Sequence, residues 1–238
     1  MQPEAGALKS SVMAETSSNA HATGLARRRD DPHGRRATTL ARIIKRGIDA
    51  LAALAGLLLL SPLFLLIAAL VRITTPGPVF YRWRVVGLQG VPFTSYKFRS
   101  MYQDADRRKA ELLSRNEMQG PVFKMADDPR ITPLGRVLRK YSLDELPQLW
   151  SVLKGDMSLV GPRPPLQSEY QHFTDFQKKK LQVKPGITCL WQVAGRNRIS
   201  SFDDWVKLDL EYIQSWSLWL DFKILVRTVG IVILGTGR

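Results

Sequence analysis

Histidine and cysteine are nearly missing from this chain. Of three histidines, His21 and His33 stand in a polar N-terminal stretch and His172 is isolated; the one cysteine is Cys189. A Ser/His/Asp triad, a Cys/His dyad and a zinc site are therefore not expected. A single cysteine forms no internal disulfide, which fits a reducing compartment. Neither a GxxxxGK[ST] loop nor a GxGxxG turn occurs, so the common nucleotide-loop folds have no support. Acidic residues are also in the minority, 21 against 35 Lys and Arg, for a net charge of +14. Such an excess implies an anionic partner: nucleic acid, anionic lipid or phosphorylated small molecules. The 238 residues suffice for one modest domain with appendages.

What is present begins with a tail. Residues 1–40 are rich in Ala, Ser, Thr and Gly, carry Arg27-Arg28-Arg29 and Arg35-Arg36, and show no apolar periodicity, so they read as a disordered basic tail rather than a signal peptide. Ala50 to Val71 then runs without a charge. As a straight helix it would rise about 33 Å, enough to cross a bilayer core. Yet Arg42, Lys45 and Arg46 precede it and Arg72, Arg82 and Arg84 follow, which by the positive-inside rule keeps both ends cytoplasmic. Pro62 also breaks the helix at its middle, where the Ser61 hydroxyl can satisfy a freed carbonyl. A re-entrant hairpin meets both constraints; a kinked transmembrane helix is the alternative.

Val79 to Val85 and Val91 to Phe98 read as two strands around Gly87-Leu88-Gln89-Gly90. Asp104 to Arg115 reads as a helix, and Thr132-Pro133 opens another to Tyr141. A further helix runs from Gln148 to Lys154 and stops at Gly155. Pro162-Arg163-Pro164-Pro165 is rigid and extended, and Lys184-Pro185-Gly186-Ile187 suits a type II turn with Gly186 at positive φ. Toward the C-terminus, Trp205, Leu208 and Tyr212 follow helical spacing, while Lys207, Asp209 and Glu211 lie elsewhere. Trp216, Leu218, Trp219, Leu220, Phe222 and Ile224 crowd beside Lys223 and Arg227, the composition either of an interfacial helix or of ordinary core.

Asp144 and Glu145 are the most informative pair. Adjacent on a helix, they point about 100° apart and cannot share one proton. They can act on two sides of a reacting centre, one attacking or binding metal, the other orienting or moving a proton. Ser142-x-x-Glu145 is equally a capping box, and the two roles are compatible. Arg139 lies just before the pair, Arg163 is held between prolines, and Lys97 and Arg99 end the second strand. Forked arginines beside a carboxylate that can hold a divalent ion form a plausible pyrophosphate site. Asp104 and Asp106 match a DxD pattern, a weak signal that a helix N-terminus explains. Asp127-Asp128 reads as a turn, and Asp203-Asp204 as a helix cap.

Many ordered motifs carry a family resemblance. They include Lys45-Arg46-Gly47-Ile48-Asp49, Ser61-Pro62, Tyr96-Lys97-Phe98-Arg99-Ser100-Met101, Asp128-Pro129-Arg130-Ile131-Thr132, Ser142-Leu143-Asp144-Glu145-Leu146-Pro147-Gln148, Gly161-Pro162-Arg163-Pro164 and Gly195-Arg196-Asn197. From about Lys45 to Gly237 the chain resembles the bacterial sugar transferases of the monotopic phosphoglycosyl transferase superfamily. The resemblance implies transfer of a sugar-1-phosphate from a UDP-sugar to polyprenyl (undecaprenyl) phosphate at the cytoplasmic face of the bacterial inner membrane, with release of UMP. Asp144 would be the nucleophile and a Mg²⁺ ligand, and Glu145 its assistant. Arg139 and Arg163 would bind phosphate, with Lys97, Arg99, Arg196 and Asn197 completing the substrate-binding set. Ser61-Pro62 would be the membrane-helix break.

The fold so implied is α+β: a mainly helical, membrane-associated domain with a small β-hairpin, a re-entrant membrane helix and amphipathic interfacial helices. Residues 1–40 form the tail, 41–74 the membrane hairpin and 75–238 the catalytic domain. The tryptophan-rich C-terminal segments resemble members serving exopolysaccharide or O-antigen synthesis, which suggests glucose or galactose as the sugar. No nucleic-acid partner is expected, and homo-oligomer formation is left open. Two rival functions are a non-enzymatic basic membrane adaptor and a DxD glycosyltransferase releasing UDP. Two departures from the family pattern stand out. Cys189 occupies a position where glycine is expected, and the transmembrane helices and extra domain of larger members have no counterpart in the tail.

Overall fold

The computed structural model describes residues 38–195 and 199–235. The expected tail lies outside them but for its last three residues, of which Thr39 and Leu40 already belong to a helix. Along the chain come α1 (Thr39–Leu59), α2 (Ser61–Thr74), β1 (Phe80–Val86), β2 (Pro92–Phe98), α3 (Pro133–Lys140), a 3-10 turn over Leu143–Gln148, α4 (Leu149–Lys154), β3 (Ser158–Val160), β4 (Gly186–Thr188), α5 (Phe202–Ser215) and α6 (Leu218–Leu234), with short helical turns between them. Helices dominate and the antiparallel hairpin is small, as an α+β chain requires.

α1 and α2 are bent by 61° across a single residue, Leu60. The break stands where Ser61-Pro62 predicts it. Pro62 lacks an N–H and its ring crowds the Leu58 carbonyl, and the Ser61 hydroxyl donates to that carbonyl at 2.8 Å. Among the described residues no single helix is long and apolar enough to cross a membrane; the bent pair together is.

α1 does not stand free of the domain. Arg46 donates to the carbonyls of Val152 and Leu153 at 2.6 and 2.7 Å, and Lys45 Nζ reaches Asp221 Oδ2 at 2.6 Å. Farther along, Ala53 packs with Val152 and Met157, and a Cβ on Gly56 would meet Leu149 Cδ1 at 3.0 Å. Small residues thus let α1 lie against α4. α2 buries Ile67 and Val71 against Phe98 and Leu138, which fastens it to β2 and α3.

β1 and β2 pair antiparallel from Phe80–Phe98 to Val86–Pro92, one residue off the expected start of each strand. The stretch Asp104 to Arg115 is not one helix but two short pieces, Ala105–Arg108 and Ala110–Arg115. Ala105 is their only buried residue, so no apolar face supports a continuous helix. The turn expected at Pro185-Gly186 is also replaced. Gly186 lies in β4, paired parallel with Ser158, and its φ is not positive. Glycine is needed there for a different reason: a Cβ would stand 2.1 Å from Gly161 N. The two backbones press together, with Gly161 N donating to Thr188 O and Gly186 N to Pro162 O.

α5 follows the expected helical spacing, and it buries Asp209 completely. Lys180 Nζ stands 2.7 Å from Asp209 Oδ2, and Val206, Tyr212 and Ile213 bury the same side of the helix. Asp203 and Asp204 sit in the first turn of α5, whose N-cap is Ser201. In α6 and the residue run before it, Trp216 and Ile224 join a core cluster with Val160 and Tyr212, whereas Trp219 and Phe222 stack on each other and remain exposed. Core and surface compositions are interleaved here.

Gly135 and Gly230 test this packing in opposite directions. A Cβ on Gly135 would lie 1.9 Å from the Ser100 carbonyl oxygen, whereas nothing lies within 4 Å of one on Gly230. Gly135→Ala should lower unfolding stability by about 1–3 kcal/mol through overpacking. Gly230→Ala should leave it unchanged or raise it by up to about 1 kcal/mol through helix propensity. Denaturant unfolding in detergent checks both, and equal effects would contradict the tight seat of α3 on the segment that follows β2.

Candidate active site

Pairing of the two strands sets up the first cation. Trp83 on β1 opposes Ser95, so Lys97 is its diagonal neighbour on the same face. Lys97 Nζ lies 3.8 Å from the Trp83 ring centroid and 2.8 Å from Glu145 Oε1. The second cation comes from Gly161-Pro162-Arg163-Pro164. The close contact of Gly161 with Gly186 fixes this segment, and Pro162 is fully buried. Arg163 Nη1 then reaches the same Glu145 oxygen at 3.0 Å, with its guanidinium 5.4 Å from the Trp83 ring centroid.

The carboxylates are delivered by a sharp reversal. α3 starts as expected at Thr132, whose Oγ1 accepts from Gly135 N at 2.9 Å. It ends at Lys140, and Ser142 takes φ 53°, ψ 23°, a left-handed conformation that serine seldom adopts. Ser142 makes no side-chain capping bond, so the expected capping box is not formed. The Glu145 carboxylate instead pairs with Lys97 and Arg163. The following turn carries Asp144 and Glu145 inward, each only 7% exposed.

Three cations feel the pair. Burial pushes Lys97 down to about 8, with Glu145 opposing. Burial lowers Arg139 as well, and Asp144 is the largest charge acting against it. For Arg163 burial also disfavours charge, but Glu145 outweighs it and the pKa is raised. Arg139 is further held by its Nε–H, which donates to Ser100 Oγ at 2.9 Å. Lys97, Arg139, Arg163, Asp144 and Glu145 all line one cleft of about 1320 Å³. Asp144 and Glu145, Lys97, Arg139 and Arg163 are thus brought together.

Arg99 is placed differently from the phosphate-binding expectation. It borders the cleft, but its guanidinium donates to the carbonyls of Pro76, Thr75 and Val71 and to Thr75 Oγ1, closing the C-terminal end of α2. The strand ends at Phe98, so the alternation that would set Arg99 beside Lys97 does not continue. Arg196 and Asn197 lie outside the described residues. Asp104 and Asp106, two apart on a helical turn, point about 200° from each other. Asp106 lines the cleft, whereas Asp104 lines a small depression beside Thr75 and Gln103, so they form no shared DxD site.

Asp128 opens a turn as expected, its carbonyl accepting from Ile131 N at 3.1 Å, and it also lines the cleft. Asp128 is buried and bound by Arg130 through Nε at 2.9 Å and Nη2 at 2.6 Å on the cleft wall. Burial alone would raise its pKa, but the Arg130 bonds outweigh that and hold it down. The acid–Pro–base spacing was the available signal. Lys180, which no motif marks, also lines the cleft together with Trp191 and Trp205, whose rings stack at 4.0 Å. Cys189 takes an extended φ of −149°, open to any residue, so glycine is not required there. Its thiol donates to Gln192 Oε1 at 3.2 Å, and burial pushes its pKa up.

Among the described residues no three His, Cys, Asp or Glu side chains gather into a metal cage. Mg²⁺ commonly takes one or two carboxylates and completes its shell with substrate phosphates and water; Asp144, buried on the cleft wall, offers one such carboxylate.

The family model for bacterial sugar transferases matches residues 40–235. Similar proteins include the galactosyl transferase CpsE of Streptococcus agalactiae, 49% identical over 195 residues, covering 82% of this chain and 43% of that protein. The exopolysaccharide production protein ExoY of Sinorhizobium fredii is 42% identical over 199 residues, covering 82% and 88%. The undecaprenyl-phosphate galactose phosphotransferase of Salmonella typhimurium is 42% identical over 202 residues, covering 83% and 42%. The chain thus spans less than half the length of the streptococcal and Salmonella relatives and most of the length of ExoY. On the family match and on these identities, the chain belongs to the bacterial sugar transferase family.

Proposed function

We propose that this transferase moves a sugar-1-phosphate from a UDP-sugar to undecaprenyl phosphate and releases UMP, as an early membrane step of exopolysaccharide or related glycan synthesis. The observation that carries it is the buried Asp144–Glu145 pair lying among Lys97, Arg139 and Arg163 in one cleft. The family membership and the name of the Salmonella relative support the substrate classes. The names of CpsE and the Salmonella protein favour galactose within the hexose expectation.

In this mechanism Asp144 attacks the phosphorus attached to the sugar. A new P–O bond forms to the carboxylate as the bond to the bridging oxygen breaks, and UMP departs. A carboxylate approaching a diphosphate meets repulsion, which preorganised cations offset. Glu145 holds Lys97 and Arg163 in place for this, and Arg139 stands where Asp144's charge reaches it. Asp144 would supply the protein ligand for Mg²⁺, which when bound neutralises diphosphate charge. A covalent step lets a water-soluble donor and a lipid acceptor use the site in turn.

The bent pair α1–α2 serves as a re-entrant membrane hairpin on the cytoplasmic side. Lys45, Arg46, Ala53 and Gly56 tie most of α1 to the domain, which leaves its far end and the start of α2 to project. Leu58, Leu59, Leu65 and Leu66 are all exposed there. Exposed Trp219 and Phe222 on α6 add an interfacial surface.

Asp144→Asn should reduce UMP release to below about 1% of wild type, because an amide is a very poor nucleophile. Glu145→Gln should retain more, losing about ten- to a hundredfold as Lys97 and Arg163 lose their charged partner. UMP release by purified variants decides this, and the reverse order would mean the two roles are exchanged. For the hairpin, cysteines placed singly by Ser18→Cys and Ser114→Cys, with Cys189 replaced by serine, should both resist an impermeant thiol reagent on intact cells and both react after lysis. Labelling of the position-18 cysteine from outside would mean that the bent pair spans the membrane.

A further inference from the structure

α3 presents more cations than the site described above uses. Arg136, Arg139 and Lys140 fall on one face of this helix at spacings of three and four, and all three line the cleft. Arg139 points inward, bound to Ser100 Oγ and under the influence of Asp144. Arg136 and Lys140 are exposed at the cleft mouth. Among the described residues neither side chain has a hydrogen bond or ion pair, and Lys140 only overlies the Tyr141 ring at 5.4 Å.

Their surroundings are apolar on two sides. α2 packs on α3 through Leu138 and exposes Leu66, Leu70 and Ile73 elsewhere on its surface. α6 ends against the same corner: a Cβ on Gly235 would lie 2.7 Å from Tyr141 Cε1 and 3.0 Å from Lys140 Cε. The exposed Val229, Ile233 and Leu234 run along α6 toward that end, and Val137 is half-exposed beside Arg136. Two cations bracketed by two apolar helices match the two parts of a lipid phosphate, a charged head on a hydrocarbon chain.

Resting on the sugar-phosphate transfer proposed above, we infer that Arg136 and Lys140 bind the phosphate of the lipid acceptor, while Lys97 and Arg163 remain with Glu145 in the interior. The acceptor's phosphate dianion would then enter from the α3 side. One of its oxygens attacks the phosphorus held on Asp144. The new P–O bond forms as the acyl-phosphate P–O bond breaks, and the electron pair returns to the Asp144 carboxylate. No proton needs to be removed from the attacking group.

Two half-reactions separate this role from a general one. In purified full-length protein, Arg136→Gln with Lys140→Gln should raise the KM for undecaprenyl phosphate in detergent micelles by about tenfold or more, the scale of lost charge-assisted hydrogen bonds. Single-turnover UMP release without acceptor should stay within about twofold, since the donor step uses other groups. Arg136→Lys, which keeps the charge, should recover acceptor KM in part. An unchanged acceptor KM, or an equal fall in both half-reactions, would overturn the assignment. Absence of UMP release by the wild-type protein would instead sink the transfer reaction itself.

Discussion

Glu145 draws Lys97 and Arg163 onto one carboxylate oxygen, and through them joins three parts of the chain that are far apart in sequence. Lys97 brings the end of β2, Arg163 brings the segment locked against β4, and Glu145 brings the turn after α3. Trp83 lies beneath both cations and shields them from water. Removing one partner of such a buried set leaves uncompensated charge, a loss of about 3–5 kcal/mol in comparable pairs. Asp144 is placed by its neighbour: the backbone that delivers Glu145 to its cations carries Asp144 to the same cleft.

The same strand end couples the site to the bent helices. Lys97 reaches into the cleft, Phe98 packs on Ile67 and Val71 of α2, Arg99 closes the end of α2, and Ser100 accepts from Arg139. Four consecutive residues thus connect the proposed membrane element, the core and two site cations. A shift of α2 would be felt at Lys97 and Arg139, because packed interiors transmit displacement. On the proposed function, this fixes the depth at which the cleft meets a lipid-borne phosphate.

Features encoded by strong local rules were legible in the sequence. Pro62 placed the helix break, Thr132-Pro133 the start of α3, Gly155 the end of α4, and the paired apolar runs the β-hairpin. The grouping of Asp144 and Glu145 with Arg139, Arg163 and Lys97 was legible as well, from charge density and proline-restrained backbone. What escaped depended on tertiary partners. Ser142-x-x-Glu145 has the spacing of a capping box, but two cations outcompete the backbone for the Glu145 carboxylate. Gly186 looked like a turn glycine because its need for close approach to Gly161 arises only when β3 and β4 pair. Arg99 looked like a ligand-facing charge, yet its guanidinium is consumed by carbonyls at a helix end. Arg196 and Asn197 lie outside the described residues.

The proposed function turns on a covalent link between Asp144 and the sugar phosphate. The direct measurement is the intact mass of the purified protein after mixing with UDP-sugar and Mg²⁺ in the absence of lipid acceptor, followed by peptide mapping. The peptide containing Asp144 should gain one sugar-phosphate and lose it when undecaprenyl phosphate is added. Stoichiometric UMP release from a protein of unchanged mass, or a sugar-phosphate carried on a different residue, would contradict it.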